Sequence, residues 1–337
     1  MASGLVPAMP AGLGYLLLPP STVFYPGLVL TTSSNSSRRL LYQLQGACDD
    51  RNLRPPFSRE QLGEERRGRR SNQTLGTLLV LSQIWGENFY HWMVECLPRV
   101  SFLPSHLLLS PDLVIAVPAL NPFVVATLRL LGVEKEKLLP FAHQHVYHAR
   151  AVLLPSSGVC GIGPPPRILR RTSRALRKGL DAIEAAREAG EAAGAGRACV
   201  LVQRSANNGR NILNHDEVLL ALKRTFKDVC DWRVMKPLWG GDKELGMLAA
   251  ASLFRHASLI VAPHGGSLAN LMFASPHACL VEILPAFRPN LCYERLSRAL
   301  GLRYFGLVVP GSFSQLPMQV DLLLLLRTVA SALEGAR

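Results

Sequence analysis

Polar side chains meet apolar, strand-like runs at several points in the second half of the sequence. Arg204 comes after "ACVLVQ", His264 comes after "SLIVAP", and Glu282 interrupts "CLVEILP". Ligands of parallel sheets bind at the carboxyl ends of the strands, so residues at these points are candidates for a binding site. Arginine can donate two parallel hydrogen bonds to a phosphate. The pattern therefore indicates a site for an anionic ligand.

The loop "RSANNGRN" after the first of these strands carries two arginines and an amide, namely Arg204, Arg210 and Asn211. Two guanidinium groups on one loop are suited to a pyrophosphate, because each can donate in a bidentate way. The alternative is that both arginines are solvated and bind nothing. The loop by itself leaves both interpretations open.

The turn "HGGSLAN" joins the second strand to a short helix and contains His264, Gly265, Gly266, Ser267 and Asn270. Two glycines let the backbone approach a ligand closely. The free N–H groups at a helix start, with the positive end of the helix dipole, favour an anion such as a diphosphate. The alternative is a tight strand–helix connection in which Ser267 caps the helix.

Glu282 stands inside an apolar run, where a carboxylate is costly unless it has a partner. The two hydroxyls of a ribose are one possible partner, and a buried arginine is another. The three strand ends occur on successive elements of one predicted sheet. Together they indicate an anionic nucleotide held by arginines and a helix start, without a dedicated metal cluster.

The stretch "NFYHWMVECLPRV", residues 88–100, sets ionisable side chains among large apolar ones. His91 and Glu95 are four residues apart and therefore share one face of a helix. Pro98 cannot donate to the carbonyl of the residue four before it, so we expect the helix to kink or loosen there, and Arg99 need not continue the same face. His91 and Glu95 are either part of a site or a polar pair at a helix start.

The chain alternates apolar strands with helical segments, which is the scaffold that such strand-end residues need. In the first half, "TLLVLS", "DLVIAVP" and "AVLLPSS" are typical of buried strands, and residues 88–108 and 121–132 are typical of helices. The alternation resumes at residue 198. It predicts an α/β protein with parallel sheets covered by helices and a doubly wound second half. No GxGxxG motif occurs, which argues against a dinucleotide-dependent oxidoreductase.

A chain of 337 residues is long enough for two domains of ordinary size. A stretch rich in glycine, proline and alanine, with a basic helix inside it, indicates a connection between them. The predicted regions are an irregular N-terminal segment (1–75), a first Rossmann-like domain (76–165), a connecting helix and linker (166–196), a nucleotide-binding domain (197–310) and a C-terminal helix (311–337).

The net charge of +13 suggests phosphorylated or polyanionic partners. Much of this excess lies in two runs, residues 51–70 and 167–178, that carry no fold signature of nucleic-acid binding, so no nucleic acid is expected as a partner. The seven cysteines have no metal-ligand spacing. Cys199 and Cys279 lie in apolar strand-like runs and are predicted to be buried free thiols.

The sequence contains no segment typical of a membrane span. The N-terminal apolar stretch lacks a basic region and is broken by prolines, and "DLLLLLRTVASAL" near the C-terminus is too short to cross a bilayer. Membrane association is therefore expected only through a segment missing from this chain.

Three motifs, "NFYHWMVECLPRV", "RSANNGRNILNHDE" and "ASLIVAPHGGSLANLMFASPHACLVEILP", in this order resemble glycosyltransferase family 61 across residues 77–310. The third motif is the most specific. The family includes plant xylosyl- and arabinosyltransferases, animal O-linked N-acetylglucosaminyltransferases and bacterial capsular-polysaccharide proteins. Where the family usually has "HGAG" this chain has "HGGS", and the glutamine that often precedes the helix of this motif is not evident in "GGDKELGMLAAA".

The resemblance implies a GT-B architecture, in which two Rossmann-like halves face each other across a cleft, with the acceptor mostly on the N-terminal half. It implies inverting transfer from a nucleotide sugar, usually a UDP-sugar such as UDP-xylose or UDP-GlcNAc, to a hydroxyl of a glycan or glycoprotein acceptor. Eukaryotic relatives work in the lumen of the ER or Golgi, and bacterial ones work in the cytoplasm. The rival interpretation is a non-catalytic protein that binds a sugar or a partner on a degenerate transferase fold.

The resemblance also implies roles for the residues of the three motifs. The base for the acceptor hydroxyl is predicted to be His91 or Glu95, or the two as a pair in which Glu95 orients the imidazole. The arginines and the helix start at residues 265–267 are predicted to stabilise the leaving diphosphate, so no divalent metal or other cofactor is expected. The predicted donor contacts are Arg204, Arg210, Asn211, His264 (donating a hydrogen bond), Gly265, Gly266, Ser267, Asn270 and Glu282 (to the ribose).

Overall fold

The chain forms two compact units, residues 1–172 (unit 1) and residues 173–337 (unit 2). Each unit is built around its own β-sheet. The computed structural model describes residues 15–18, 20–24, 28–32, 39–42, 69–83, 85–141, 145–155, 163–187, 197–206, 209–236, 243–310, 312 and 316–334.

Unit 1 contains an eight-stranded sheet in the part of the chain that the structure describes. In spatial order its strands run β4-β3-β2-β8-β5-β6-β7, and β1 also pairs with β8. The strands are β1 (Tyr15–Leu18), β2 (Ser21–Phe24), β3 (Leu28–Thr32), β4 (Arg39–Tyr42), β5 (Arg69–Val80), β6 (Leu113–Val117), β7 (Leu138–Pro140) and β8 (His145–Pro155).

This sheet has a parallel half and an antiparallel half that share β8. Strands β5, β6 and β7 continue from β8 in parallel, whereas β1 and β2 pair with β8 antiparallel. The structure therefore differs from the expectation that residues 1–75 are irregular, since four short strands lie there. Strands of four or five residues show almost no periodicity of their own, and β8, the partner of β1 and β2, lies more than 100 residues further along the chain.

The helical segment after β5 is irregular. It consists of an α-helical turn, Phe89–His91, a π-helical turn, Trp92–Cys96, and a 3₁₀ helix, Leu97–Phe102, which we call together the broken helix. The predicted kink at Pro98 is confirmed, because the 3₁₀ segment begins at the residue before it. The remaining helical elements of unit 1 are α1 (Ser105–Leu109), α2 (Pro122–Leu130) and a 3₁₀ turn (Lys135–Lys137).

Buried contacts fix the broken helix to α2. The Trp92 side chain is fully buried, and its indole Nε1–H donates to Thr127 Oγ1 at 2.9 Å. The ring of Phe89 packs edge-on against that of Phe123, with centroids 5.3 Å apart. Because a buried indole N–H needs an acceptor, this hydrogen bond holds the broken helix in one orientation.

Helix α3 (Pro166–Arg187) begins in unit 1 and ends in unit 2. The arginines of its basic run are mostly exposed, as expected of a solvated helix face. Within unit 2 the Nε and Nη2 atoms of Arg255 donate to the two carboxylate oxygens of Asp181, at 2.8 and 3.0 Å. Helix α3 therefore packs on the helix that carries Arg255.

Unit 2 contains a five-stranded sheet in which every strand pair is parallel. Its strands are β9 (Arg197–Val202), β10 (Cys230–Met235), β11 (Leu259–Pro263), β12 (Cys279–Pro285) and β13 (Arg303–Val309), in the spatial order β10-β9-β11-β12-β13. This is the 2-1-3-4-5 order of a flavodoxin-like, doubly wound sheet. The order reverses between β9 and β11, so the sheet has its topological switch point there.

Helices cover both faces of the unit 2 sheet. Helix α4 packs against α7, and both contribute to a large apolar cluster on one face. The other helical elements pack together and against β9 or β13. The helical elements of unit 2 after α3 are α4 (His215–Thr225), α5 (Lys243–His256), a 3₁₀ helix (Gly266–Phe273), α6 (Cys292–Leu300) and α7 (Leu322–Glu334).

Two predictions about cysteines have different outcomes. Cys279 is a buried free thiol, as predicted. Cys199 is not free, because it forms a disulfide with Cys230 across the neighbouring strands β9 and β10, with the two Cα atoms 5.5 Å apart. The prediction was wrong because the two cysteines are 31 residues apart in sequence and become neighbours only through the pairing of β9 with β10.

The prediction of an α/β protein with parallel strands and covering helices is confirmed, whereas the GT-B arrangement of the halves stays a prediction. Among the described residues, no helix combines the length and the apolar character needed to span a bilayer.

Candidate active site

Arg204 and Gly265 meet at the switch point of the unit 2 sheet, just beyond the carboxyl ends of β9 and β11. The guanidinium of Arg204 lies directly over Gly265, and its Cζ atom is 3.2 Å from the position that a Cβ atom on Gly265 would occupy. The backbone of Gly265 is extended, so glycine is needed there for space rather than for conformation. Open sheets of this order bind ligands at this point.

Arg210 lies close enough to Arg204 for the two charges to repel each other. Burial, followed by the charge of Arg210, lowers the pKa of Arg204. Arg204 is also held by a hydrogen bond of 2.6 Å from its Nε to the carbonyl of Gly209. Arginine stays protonated in proteins, so the loop presents two positive charges together. An anion at this edge would relieve their repulsion.

The backbone of Arg210 is in the left-handed conformation, with φ of 54°. This conformation is unfavourable for a residue with a long side chain, and it persists only where the surroundings enforce it. Here the N–H of Arg210 donates to the carbonyl of Leu316 at 3.0 Å. The Nε atom of Arg210 is buried and has no hydrogen-bond partner among the described residues. Strain and an unpaired buried donor are both typical of a ligand site.

The turn after His264 leads into a 3₁₀ helix that has no side-chain cap. Ser267 therefore does not cap the helix, and the N–H groups of its first turn stay available for an anion. A Cβ atom added to Gly266 would meet nothing within 4 Å, so open space lies beside the turn. Asn270 donates from Nδ2 to the carbonyl of Ser267 at 2.9 Å, and its buried Oδ1 has no partner in the described part of the chain.

His264, the residue after β11, and Glu282, on the neighbouring strand β12, form a buried pair. His264 Nδ1 lies 2.6 Å from Glu282 Oε1, and Tyr304 Oη donates to Glu282 Oε2 at 2.8 Å. Burial raises the pKa of Tyr304, and the neighbouring carboxylate raises it further, so the phenol remains a donor. The ring of Tyr293 packs on His264 with centroids 5.2 Å apart. The imidazole is thus fixed from two sides.

The contacts of Glu282 inside the protein compete with the ribose contact that is predicted for it. Its side chain is 0% exposed, and each carboxylate oxygen already has a partner inside the protein. Binding a ribose would require Glu282 to exchange one of these partners. The buried arginine that was the other possible partner is not present either, because a histidine and a tyrosine take that place.

In unit 1, His91 and Glu95 form a second histidine–carboxylate pair. His91 Nδ1 lies 2.9 Å from Glu95 Oε2, which confirms that the two residues share one face of the broken helix. Because a carboxylate can only accept, the facing nitrogen of a neutral imidazole carries the proton, and Nε2 is then the basic atom. This is the tautomer that a general base needs.

Gln83 connects this pair to Arg99. Its Nε2 donates to Glu95 Oε2 at 2.6 Å, and its Oε1 accepts from Arg99 Nη2. Arg99 is fully buried and also donates from Nε to the backbone carbonyl of Glu95 at 2.9 Å. Arg99 thus belongs to the same buried cluster, through Gln83 and the Glu95 carbonyl. Gln83 was not among the predicted site residues, although its place just after β5 marks it as a strand-end residue.

A pocket of about 580 Å³ lies beside Arg204, between the loop that follows β9 and the start of α4. Asn211 lines this pocket, and its backbone carbonyl accepts from the N–H of Met318 at 2.8 Å. Within the described residues, no group of three or more His, Cys, Asp or Glu side chains is arranged to hold a metal ion. The structure thus gathers the predicted donor residues into unit 2 and places His91 and Glu95 together in unit 1.

Comparison with known proteins gives one family. A model described as Glycosyltransferase 61 matches residues 89–281, which is more than half of the chain. The match begins in the broken helix, one residue after the start of the "NFYHWMVECLPRV" motif, and ends within β12, one residue before Glu282. No curated protein matches the chain closely enough to serve as a relative.

Proposed function

The chain belongs to glycosyltransferase family 61, and from that premise we propose that unit 2 binds the diphosphate of a nucleotide sugar while the His91–Glu95 pair activates the acceptor hydroxyl. The observation that carries this proposal is the approach of the Arg204 guanidinium to Gly265 at the switch point of the unit 2 sheet. The proposal further requires the two units to act on one pair of substrates, as in the GT-B arrangement that the sequence predicts.

The donor half of the proposal rests on positive charge. Arg204 and Arg210 would bind the two phosphates, and the uncapped N–H groups after Gly265 would contribute further donors. In the reaction the bond between the anomeric carbon and the phosphate oxygen breaks, and the diphosphate leaves with the electron pair. Donors that are already in place stabilise this charge as it develops. We therefore extend the proposal to a reaction that needs no added divalent metal.

The acceptor half rests on the His91–Glu95 pair. The oxygen of the acceptor hydroxyl attacks the anomeric carbon from the face opposite the leaving group, which inverts the configuration. Its proton passes to Nε2 of His91, while Nδ1–H stays hydrogen-bonded to Glu95 at 2.9 Å. Glu95 stabilises the imidazolium that forms, and Gln83 holds Glu95 in place with a hydrogen bond of 2.6 Å.

The proposed donor is a UDP-sugar, such as UDP-xylose or UDP-GlcNAc, and the proposed acceptor is a hydroxyl of a glycan or glycoprotein. The disulfide between Cys199 and Cys230 supports an oxidising compartment such as the lumen of the ER or Golgi. A count of reactive thiols in the unfolded, unreduced protein tests this point. A full set of seven free thiols would instead favour the cytoplasm.

A screen of UDP-sugars against glycan and glycopeptide acceptors, with release of UDP as the readout, tests the activity. We expect release with one donor class, and we expect it to persist in EDTA. Product NMR should show the inverted anomeric configuration. A protein that binds UDP and releases none with any acceptor would support the non-catalytic alternative. Activity lost in EDTA and restored by manganese would overturn the metal-free part of the proposal.

A further inference from the structure

The pocket between β9 and α4 differs chemically from the arginine-rich edge beside it. Its wall is formed by residues 203–206 and 211–217, and its volume is about 580 Å³. Arg204 belongs to both regions, because it lines the pocket and its guanidinium also reaches Gly265. The pocket therefore adjoins the proposed diphosphate site, and one ligand could occupy both.

Two residues that line the pocket each carry a buried polar atom without a hydrogen-bond partner among the residues that the structure describes. These atoms are Oδ1 of Asn211 and Nε2 of His215. Asn211 is 8% exposed and His215 is 9% exposed, so water reaches neither side chain freely. Nearly all buried polar groups in proteins are paired. Two unpaired ones on residues that line one pocket indicate a ligand that pairs with both.

The pocket suits an uncharged ligand group. Burial lowers the pKa of His215, against the opposing effect of Asp216, so the imidazole is neutral at pH 7 and offers one donor and one acceptor. Asp216 and Glu217 are exposed at the rim, and their charge disfavours a phosphate there. Ala206 and Leu213 add apolar wall to the same pocket. This is the lining expected around a flat ring that has a polar edge.

We propose, resting on the proposed function, that this pocket binds the nucleobase of the donor through an edge that has an N–H group beside a carbonyl. The N–H donates to Asn211 Oδ1, and the carbonyl accepts from His215 Nε2–H. Uracil has such an edge, because its N3–H lies between two carbonyls. Cytosine does not, because its N3 carries no hydrogen. The pocket thereby selects UDP over CDP, and His215 becomes a determinant of donor specificity.

The test is a calorimetric titration of the full chain with UDP, with a UDP-sugar, with CDP and with inorganic pyrophosphate, which carries the anion without a base. The variants are His215→Leu, which removes the ring nitrogen, and His215→Gln, which keeps an N–H donor at a similar reach. His256→Leu is the matched control, since His256 lies at the exposed end of α5, paired with Glu184.

We expect His215→Leu to weaken UDP binding by about 3- to 10-fold, the effect of one hydrogen bond to an uncharged group. Binding of pyrophosphate should not change. His215→Gln should restore most of the UDP affinity, and His256→Leu should bind like the wild-type protein. The Asn211→Ala variant should lose the preference for UDP over CDP, because the N–H acceptor is gone.

Several results would overturn the inference. UDP affinity that is unchanged in His215→Leu would exclude the base from this pocket, as would equal losses for UDP and pyrophosphate. A loss for the UDP-sugar without a loss for UDP would place the transferred sugar there instead. If the wild-type protein binds no UDP at all, the proposed function fails together with this inference. If it binds UDP with an affinity that does not depend on His215, only this inference fails.

Discussion

The molecule contains two histidine–carboxylate pairs with similar contacts and different surroundings. In the His91–Glu95 pair of unit 1, the imidazole side chain is 22% exposed and Nδ1 lies 2.9 Å from the carboxylate. In the His264–Glu282 pair of unit 2, the imidazole is 7% exposed and the distance is 2.6 Å. Both carboxylates are almost wholly buried, so the accessibility of the imidazole is what distinguishes the pairs.

The supports of the two carboxylates differ as well. Oε2 of Glu95 has hydrogen-bond contacts with both His91 and Gln83. In Glu282, one carboxylate oxygen contacts His264 and the other accepts from Tyr304. The unit 2 pair is therefore locked from both sides. An exposed imidazole can accept a proton from a substrate and return it to water, and a locked one serves better as a fixed hydrogen-bond donor. Under the proposed function, the same contact would support turnover in unit 1 and donor binding in unit 2.

The segments of the chain that carry the two histidine–carboxylate pairs differ as well. Glu282 lies on β12, and His264 directly follows the adjacent parallel strand β11, in a sheet that also contains the Cys199–Cys230 disulfide. His91 and Glu95 lie where an α-helical turn passes into a π-helical one. Such π-turns occur frequently at functional sites. Unit 1 therefore places its pair on an irregular helical segment, and unit 2 places its pair on one strand and just beyond the end of its neighbour.

The largest expected effect is a loss of turnover when the carboxylate of the unit 1 pair is replaced. Glu95→Gln keeps the size of the side chain and removes the charge that selects the Nδ1–H tautomer of His91. We expect kcat to fall by about 10²- to 10⁴-fold, the usual contribution of a general base, with no change in UDP affinity. Glu87→Gln, on the exposed turn before the same segment, is the control. Equal activity of the two variants would remove Glu95 from the chemistry.

The second prediction concerns the scaffold of unit 2. Replacing Cys199 and Cys230 by alanine should lower the free energy of unfolding by about 3–4 kcal/mol, the loop-entropy value for a closed loop of 31 residues. Thermal unfolding measures this loss. The transition to follow is that of unit 2, which is recognised as the one whose midpoint changes when UDP is added. Adding a reductant to the wild-type protein is the control and should give the same midpoint as the variant. A variant as stable as the oxidised protein would contradict the disulfide.

The third prediction concerns the donor side alone. Arg204→Ala should weaken UDP binding by about 10- to 100-fold, since hydrogen bonds to charged groups contribute about 1.5–3 kcal/mol each. Arg233→Ala is the matched control, because Arg233 is an exposed strand residue paired with Asp231. Calorimetry measures both affinities. If the two variants bind UDP equally, Arg204 is not a donor residue.

The smallest expected effect tests how firmly the unit 2 pair is locked. Tyr304→Phe removes one hydrogen bond and leaves Glu282 Oε2 buried without its donor. We expect a loss of about 1–3 kcal/mol in the free energy of unfolding. We also expect weaker UDP binding, because His264 gains freedom to turn, with kcat at saturating donor little changed. A lower kcat at unchanged UDP affinity would assign the unit 2 pair to the chemical step.

The donor side of the site was accessible from sequence because of a simple rule about strands. Arg204 and His264 each follow an apolar run, and the ends of parallel strands meet at one edge of the sheet. Their proximity was therefore predictable before the strand order was known. The contact between Arg204 and Gly265 needed one further fact, namely that β9 and β11 are neighbours.

The partners inside the site were not predictable in the same way. Tyr304 reaches Glu282 from the adjacent strand β13, and Cys230 reaches Cys199 from β10. Both pairings depend on the order of strands, which no local pattern encodes. Gln83 was missed for a related reason. It accepts a hydrogen bond from Arg99, and this contact forms only because the chain is redirected after the break in the helix at Pro98. Local spacing predicted the His91–Glu95 contact, because a separation of four residues fixes it within one helical segment.

The most direct test of the division between the pairs is a measurement of kcat and UDP affinity in His91→Ala and His264→Ala, side by side with the wild-type protein. We predict a crossed result. His91→Ala loses kcat and keeps its UDP affinity, whereas His264→Ala loses UDP affinity and keeps a larger share of kcat at saturating donor. Parallel losses in both variants, or the reverse assignment, would contradict the account.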